Sequence, residues 1–140
     1  METWVIYAIL AALSWGTYIV INKMAGDINP YIAAVAMGVG VFAFFGIIYL
    51  ALRPEFNNNW QGLGLSVVAG IIWALGMLFA LLALANNAPV AKLAPIYNIN
   101  TLIAVALGMV VLKELPVGED RIKVIIGAIL IVIGGILVSS

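Results

Sequence analysis

The chain contains no cysteine and no histidine. Without cysteine it has no disulfide, no thiolate nucleophile and no thiolate metal site. Histidine is the commonest metal ligand and the usual proton carrier near neutral pH, so both of those roles are missing as well. We therefore expect neither a metal centre nor a cofactor.

Charge is also scarce. Only 9% of the 140 residues are charged, and six basic residues balance six acidic ones. Because no basic run occurs, nucleic acid is not predicted as a partner. The carboxylates all lie outside the apolar segments, which leaves no buried acid, base or metal site for an intramembrane enzyme. We therefore do not expect an enzyme. The carboxylates are Glu2, Asp27, Glu55, Glu114, Glu119 and Asp120.

Apolar side chains are abundant instead, at 66% of the chain. A soluble domain is about half apolar, so the lipid bilayer is the predicted solvent. Five segments are long enough to cross about 30 Å of hydrocarbon. Their apolar residues do not alternate as in a barrel, and open sheet edges cannot face lipid, so they are predicted to be helices. Residues 1–140 are thus predicted to form one all-α integral membrane domain of five transmembrane helices, near 4–22, 31–52, 62–85, 90–112 and 122–138.

The flanking residues bear on orientation. Met1-Glu2-Thr3 has no basic side chain, and no small-x-small cleavage site follows, so we expect the first segment to be retained. Five crossings place the two ends on opposite sides of the membrane. The small excess of basic residues on the N-terminal side favours a cytoplasmic N-terminus but permits insertion both ways round. We expect a multi-pass protein of a prokaryotic cell membrane. The basic residues are Arg53, Lys113, Arg121 and Lys123 on that side, and Lys23 and Lys92 on the other.

The first helix has one polar and aromatic face. At about 100° per residue its members share roughly a third of the circumference. Residues near the helix ends, Asn22 included, are also typical of a membrane interface or of helix packing. Polar groups near the middle of the membrane need a partner or a wet cavity. The face consists of Tyr7, Ala11, Ser14, Trp15, Tyr18 and Asn22, and we predict Trp15, Tyr18 and Asn22 as cavity-lining.

The third helix combines small and large residues on one side. Gly62, Ser66 and Gly70 have a small-xxx-small spacing, which is typical of close helix packing. Trp73 and Met77 are larger, and an aromatic plate and a flexible thioether are suited to line a pocket. Small residues also form stripes in the second and fifth helices, which we assign to packing. These are Ala33, Ala36, Gly40 and Ala43, and Gly127, Ala128, Gly134 and Gly135.

The fourth helix contains Pro95 within its span, which removes one backbone donor and loosens the helix. Tyr97, Asn98 and Thr101 follow on a shared face and are predicted to line the same cavity. Lys92 has two interpretations. It either extends its amine to the interface or faces the bundle interior and binds an anionic group of a ligand.

The chain contains the motifs Trp15-Gly16, the stretch from Pro95 to Gly108, Leu112-Lys113-Glu114, Ile126-Gly127-Ala128 and Ile133-Gly134-Gly135. Together they resemble the drug/metabolite transporter superfamily, and the EamA-like type in particular. Lys113 departs from the pattern, because glycine is common at that position. The resemblance implies one half of an inverted-repeat transporter whose full form has ten helices, and hence two copies assembled antiparallel. It also implies a cavity lined by the first, third and fourth helices.

The small multidrug resistance proteins, a related four-helix group, use a membrane-embedded glutamate in their first helix. Here that region reads Ser14-Trp15-Gly16, and a fifth helix is present. Proton-driven exchange of the kind found in that group is therefore not implied.

Two functions fit these patterns. The first is a transporter that moves a small organic metabolite or drug by alternating access, as an antiparallel homodimer, with a neutral or zwitterionic substrate favoured by the low charge. The second is a structural or accessory subunit that packs with a partner protein, which the small-residue stripes favour.

Overall fold

The computed structural model describes residues 3–55, 57–114 and 118–139, and the regular elements of this part are all α-helices. Five stretches are long and apolar enough to cross a membrane. The predictions of an all-α fold and of five membrane-spanning segments are thereby confirmed. The helices are α1 (Thr3–Met24), α2 (Pro30–Leu52), α3 (Trp60–Ala85), α4 (Val90–Tyr97), α5 (Asn100–Val110) and α6 (Glu119–Ser139).

Asparagine side chains fix the starts of α2 and α3. Asn29 accepts a hydrogen bond of 3.0 Å from the amide of Tyr31, and Asn59 accepts one of 2.8 Å from the amide of Gly62. Each bond satisfies one of the backbone donors that the first turn of a helix leaves open. These caps start both helices one or two residues before the limits that apolar composition predicts.

The fourth span is interrupted. The sequence predicts one helix over 90–112, but the structure has α4 and α5, with a turn at Asn98 and Ile99 between them. The Ile99 amide donates to the Ile96 carbonyl at 3.2 Å, and the Thr101 amide donates to the Asn98 carbonyl at 3.0 Å. Both bonds span three residues, where an α-helix has four, so the chain tightens just after Pro95.

The chain folds as two compact units. The first unit contains α1, α4, α5 and α6, with α4 packed on both α1 and α6, and α5 packed on α6. Ile19, Ala128 and Gly135 are buried in it. The second unit is the hairpin of α2 and α3, in which Ala33, Leu81 and Leu84 are buried. The single-domain organisation of residues 1–140 stays a prediction.

The backbone after α5 shows why glycine would suit the position of Lys113. Lys113 has φ 57°, in the left-handed region that glycine adopts at little cost. The next amide, that of Glu114, turns back and donates to the Gly108 carbonyl at 3.1 Å. The glycine that the family resemblance leads one to expect here would suit this backbone, and Lys113 adopts the same conformation at a steric cost.

Candidate functional site

Two tyrosines from distant parts of the chain meet in the first unit. Tyr18 lies on α1 and Tyr97 is the last residue of α4, and the packing of α1 on α4 places their side chains near each other. Both side chains are half-buried. The sequence predicts each as cavity-lining, and the structure places the two phenols together.

The pair lies well inside the span. Tyr18 precedes the end of α1 at Met24 by six residues, and Tyr97 follows the start of α4 at Val90 by seven. At 1.5 Å per residue both are about 10 Å from those helix ends, roughly a third of the way across the hydrocarbon. A phenol at this depth needs a hydrogen-bonding partner or a wet cavity, and each of these two tyrosines has the other nearby.

Two hydroxyl groups of α1, those of Ser14 and Thr17, are satisfied within the helix. The Ser14 hydroxyl donates to the Leu10 carbonyl at 2.9 Å, and the Thr17 hydroxyl donates to the Leu13 carbonyl at 2.8 Å. The sequence argument that Ser14 needs a cavity or a partner helix is therefore too strong, because the backbone four residues earlier supplies the acceptor.

Asn22 also bonds to the backbone of α1, but this bond does not use the whole hydrogen-bonding capacity of its side chain. Its side-chain amide donates to the Tyr18 carbonyl at 3.0 Å, and the residue is half-buried. This bond uses one of the two amide hydrogens and leaves the side-chain oxygen as an acceptor. Asn22 therefore lies one turn from the phenol pair with hydrogen-bonding capacity that this contact does not use.

Trp15 lies one turn before Tyr18 on the same helix and is 59% exposed. An indole with this much free surface contributes little to the packing of its own chain. Its role as an aromatic wall of a cavity stays a prediction, and the exposure means that the ring is available for contact with a ligand or a second protein unit.

The turn between α4 and α5 presents further uncharged groups. Asn98 and Thr101 are both exposed, and the Thr101 hydroxyl is 3.4 Å from the side-chain oxygen of Asn100. Thr101 follows Tyr97 by one helical turn. These residues keep the hydrogen-bonding character of the face beyond the phenol pair, and their contact with substrate stays a prediction.

A close backbone contact holds this turn. Gly135 of α6 is buried, and a Cβ atom placed on it would lie 3.1 Å from the Pro95 carbonyl oxygen and 3.6 Å from the Ile99 side chain. The sequence predicts packing at Gly127, Ala128, Gly134 and Gly135. Ala128 and Gly135 are buried, whereas a Cβ on Gly127 or Gly134 would meet no described atom within 4 Å. What sequence reasoning missed is that Gly135 faces the interruption of the fourth span.

Lys92 lies in the first turn of α4 and is exposed. It precedes Tyr97 by five residues, which places it about 140° around the helix from the phenol. This position resembles that of an amine reaching the interface. The alternative role of Lys92 as partner to an anionic ligand stays a prediction.

The second unit contains the other two predicted site residues. Trp73 is 45% exposed and Met77, one turn later on α3, is half-buried. Their role in a cavity stays a prediction. Two small residues of α3 differ in their surroundings. A Cβ atom on Gly70 would meet no described atom within 4 Å, so the packing predicted for Gly70 has no partner in the described chain. A Cβ atom on Gly62 would lie 2.6 Å from the side chain of Asn59, which caps the helix. Gly62 thus makes room for the helix cap.

Residues 2–140 match the EamA-like transporter family. Among curated proteins, the "Probable glucose uptake protein GlcU" of Bacillus cereus is 30% identical over 133 residues, which is 94% of this chain and 45% of that protein. The protein of the same name from Priestia megaterium is 29% identical over 133 residues, again 94% of this chain and 45% of the relative.

A third relative, from Listeria monocytogenes, is 25% identical over 139 residues, 99% of this chain and 47% of the relative, and its name assigns it to sugar uptake. The chain therefore spans about half the length of the curated relatives it matches. No solved structure matches it.

Proposed function

Because this chain belongs to the EamA-like transporter family, and is thus a multi-pass integral membrane transporter, we propose that it carries a small neutral sugar or related polyol by alternating access. The observation that carries the proposal is the uncharged Tyr18–Tyr97 pair inside the span. The relatives named for glucose and sugar uptake support the same substrate class.

The chemistry of the predicted site suits a polyol. Sugars present many hydroxyl groups, each of which both donates and accepts, and apolar C–H faces that stack on aromatic rings. Phenols, amides and a threonine hydroxyl match the hydroxyl groups, and Trp15 supplies an exposed indole for the ring face. On α1 and α4 the lysines lie about 140° from the tyrosines, so an anionic substrate would find no charge partner on this face.

We further propose that two five-helix units form the carrier, the second being another copy of this chain inserted the opposite way round. The inverted repeat that the family resemblance implies supports this arrangement. Within the described chain, Cβ atoms on Gly40, Gly70 and Gly76 would meet nothing within 4 Å. These open small-residue positions are suited to close contact with helices of a second copy of the chain.

The orientation of the protein in cells tests the antiparallel dimer. A tag on either end should be accessible from both sides of the membrane in comparable amounts, because the basic residues give only a small bias. Impermeant labelling of intact and permeabilised cells measures this ratio. A single orientation in all copies would contradict the antiparallel homodimer, and a fixed co-purifying partner in that case would favour the accessory-subunit function.

Transport by purified protein tests the substrate class. In proteoliposomes we expect saturable uptake of labelled glucose that unlabelled neutral sugars inhibit and gluconate, the carboxylate analogue, does not. Lys92→Gln should leave glucose uptake near wild type. If gluconate is the better substrate and Lys92→Gln abolishes its uptake, the neutral-sugar proposal is wrong and Lys92 is the partner of an anion.

A further inference from the structure

We propose that Gly135 of α6 is the pivot on which α4 turns against α5 when the carrier changes from one access state to the other. This inference rests on the proposed function, because it names the residue on which the proposed alternating access depends. Gly135 does not touch substrate in this scheme. It is a positioning residue that acts through the interrupted fourth span.

The joint between α4 and α5 lacks the hydrogen bond that would make the span rigid. In a continuous α-helix the Ile99 amide donates to the Pro95 carbonyl, four residues earlier. Here that amide donates to the Ile96 carbonyl instead, at 3.2 Å. Two further amide-to-carbonyl bonds across the turn, at 3.0 and 2.9 Å, also span only three residues. A short stretch of this tighter geometry inside a helix is typical of a hinge.

Gly135 meets this joint with its backbone and not with a side chain. A Cβ atom added to Gly135 would lie 3.1 Å from the Pro95 carbonyl oxygen and 3.6 Å from the Ile99 side chain. In glycine a Cα hydrogen takes the place of that Cβ atom, so a C–H group points at the carbonyl that the Ile99 amide does not reach. A C–H contact of this kind is a weak hydrogen bond. It supports the carbonyl but restrains its direction little.

The missing side chain leaves the joint free to turn. In most helix pairs the side chains of one helix lie in grooves between those of the other, and this interlocking fixes the crossing angle. At Gly135 no side chain stands between α6 and the joint, so α4 can change its angle without being lifted over one. Close packing alone would suit a glycine anywhere along a continuous helix. Here the contact falls at the interruption, which is where a pivot is needed.

The packing of the first unit connects this pivot to the candidate site. α6 packs on both α4 and α5, and α1 packs on α4. When α4 turns about Gly135 while α5 stays on α6, the surface between α1 and α4 opens or closes. Tyr18 of α1 and Tyr97 at the end of α4 belong to that surface. Residues at the ends of elements, away from the ligand, are the usual hinges of such movements.

The first measurement compares Gly135→Ala with Gly134→Ala. Gly134 is the matched control, because a Cβ atom there would meet no described atom within 4 Å. Glucose binding is measured on the purified proteins, and the maximal uptake rate is measured in proteoliposomes and divided by the amount of folded protein. The added methyl group at position 135 interlocks with the turn and obstructs its movement. We therefore expect Gly135→Ala to lower the maximal rate about tenfold or more, while the dissociation constant for glucose changes less than about threefold.

Gly134→Ala should match wild type in both quantities. A purely structural role for Gly135 gives a different result, in which fewer molecules fold but each folded molecule transports at the wild-type rate. That result overturns the inference.

The second measurement follows the joint directly. Since the chain has no cysteine, Ala91→Cys on α4 and Val110→Cys on α5 introduce one pair of spin labels at exposed positions, roughly 30 Å apart along the span. Dilution with excess unlabelled protein restricts the measured distances to those within one copy. We expect two distances whose proportions change with glucose, and a single distance once Gly135→Ala is added. Because the joint itself keeps its natural residues, a single distance that glucose does not move overturns the inference even if Gly135→Ala fails to fold.

The outcomes separate the pivot from the sugar carrier. If glucose is transported while the labelled span shows one distance, or while Gly135→Ala keeps the wild-type rate, the pivot is wrong and the carrier stands. If no neutral sugar is transported, the proposed function fails. In that case two distances without ligand, reduced to one by Gly135→Ala, still support the pivot.

Discussion

Replacing Gly135 with leucine is expected to prevent stable folding, whereas the same change at the adjacent Gly134 should leave stability near that of wild type. Gly135 is buried against the turn that interrupts the fourth span. A Cβ atom added to it would lie 3.1 Å from the Pro95 carbonyl oxygen. Gly134 is exposed, and a Cβ there would meet no described atom within 4 Å. The two glycines are therefore neighbours in the sequence, but only Gly135 lacks room for a side chain.

Alanine gives a graded version of this test. Overpacking by a methyl group costs about 1–3 kcal/mol, and the higher helix propensity of alanine over glycine returns up to about 1 kcal/mol. Gly135→Ala should therefore lower the melting temperature of the purified protein moderately, while Gly134→Ala should raise it slightly. Leucine adds three more carbon atoms at the same place and should push the Pro95 carbonyl and the Ile99 side chain out of contact.

The measurement is thermal unfolding in detergent, followed by size-exclusion chromatography of the soluble fraction. Equal damage from Gly134→Leu and Gly135→Leu would contradict the explanation, because it would trace the loss to larger side chains on α6 in general. In that case the contact between Gly135 and the Pro95 carbonyl would not be what holds the turn.

Trp15→Ala should reduce glucose uptake about tenfold or more at low substrate concentration, with normal expression and melting temperature. Trp15 is largely exposed within its chain, so removing the indole deprives the fold of little contact. Loss of a stacked aromatic ring from a bound sugar forfeits the burial of a large apolar surface, worth about 1.5–3 kcal/mol. Trp15→Phe should retain part of the activity.

Leu13→Ala is the control for this prediction, because Leu13 is similarly exposed on α1 but lies about 160° around the helix from Trp15. Uptake by Leu13→Ala should match wild type. If both variants lose uptake to the same extent, or if Trp15→Ala lowers the melting temperature in step with activity, then Trp15 is a packing residue of the assembled carrier.

The five spans were predictable because bilayer thickness and apolar composition together determine them. The second predicted span, 31–52, differs from α2 by one residue at its start, and that residue is Pro30, which follows the Asn29 cap. Short-range signals of this kind are read directly from neighbouring letters. The Asn59 cap, which starts α3 two residues early, is of the same type.

The interruption of the fourth span was only partly predictable. Pro95 indicates a weakened helix, but a proline by itself removes only the hydrogen bond from its own position to the preceding turn. The turn at Asn98 and Ile99 lies after the proline, and Ile99 packs on Gly135, which is 36 positions later in the chain. No local pattern contains that contact. The Lys113 conformation was hidden for another reason, since lysine gives no sign that it will adopt a left-handed backbone.

The candidate site shows the same division. Helical spacing grouped Trp15, Tyr18 and Asn22 on one face of α1, and α1 holds them there. That Tyr18 meets Tyr97 depends on how α1 and α4 pack, which the face of a single helix does not specify. The sequence also overrated Ser14, because a hydroxyl that bonds the carbonyl four residues earlier looks identical in the sequence to one that needs a partner.

The hydrogen bonds between polar side chains and the backbone of their own helix have a consequence for membrane insertion. Ser14, Thr17, Asn22 and Ser66 each donate to a carbonyl of their own helix, at 2.8–3.0 Å. Because these donors of α1 and α3 are already bonded within their own helix, the two spans can leave the translocon and enter lipid before the other spans arrive. Assembly can then follow as a separate event, without a period in which these groups face hydrocarbon unbonded.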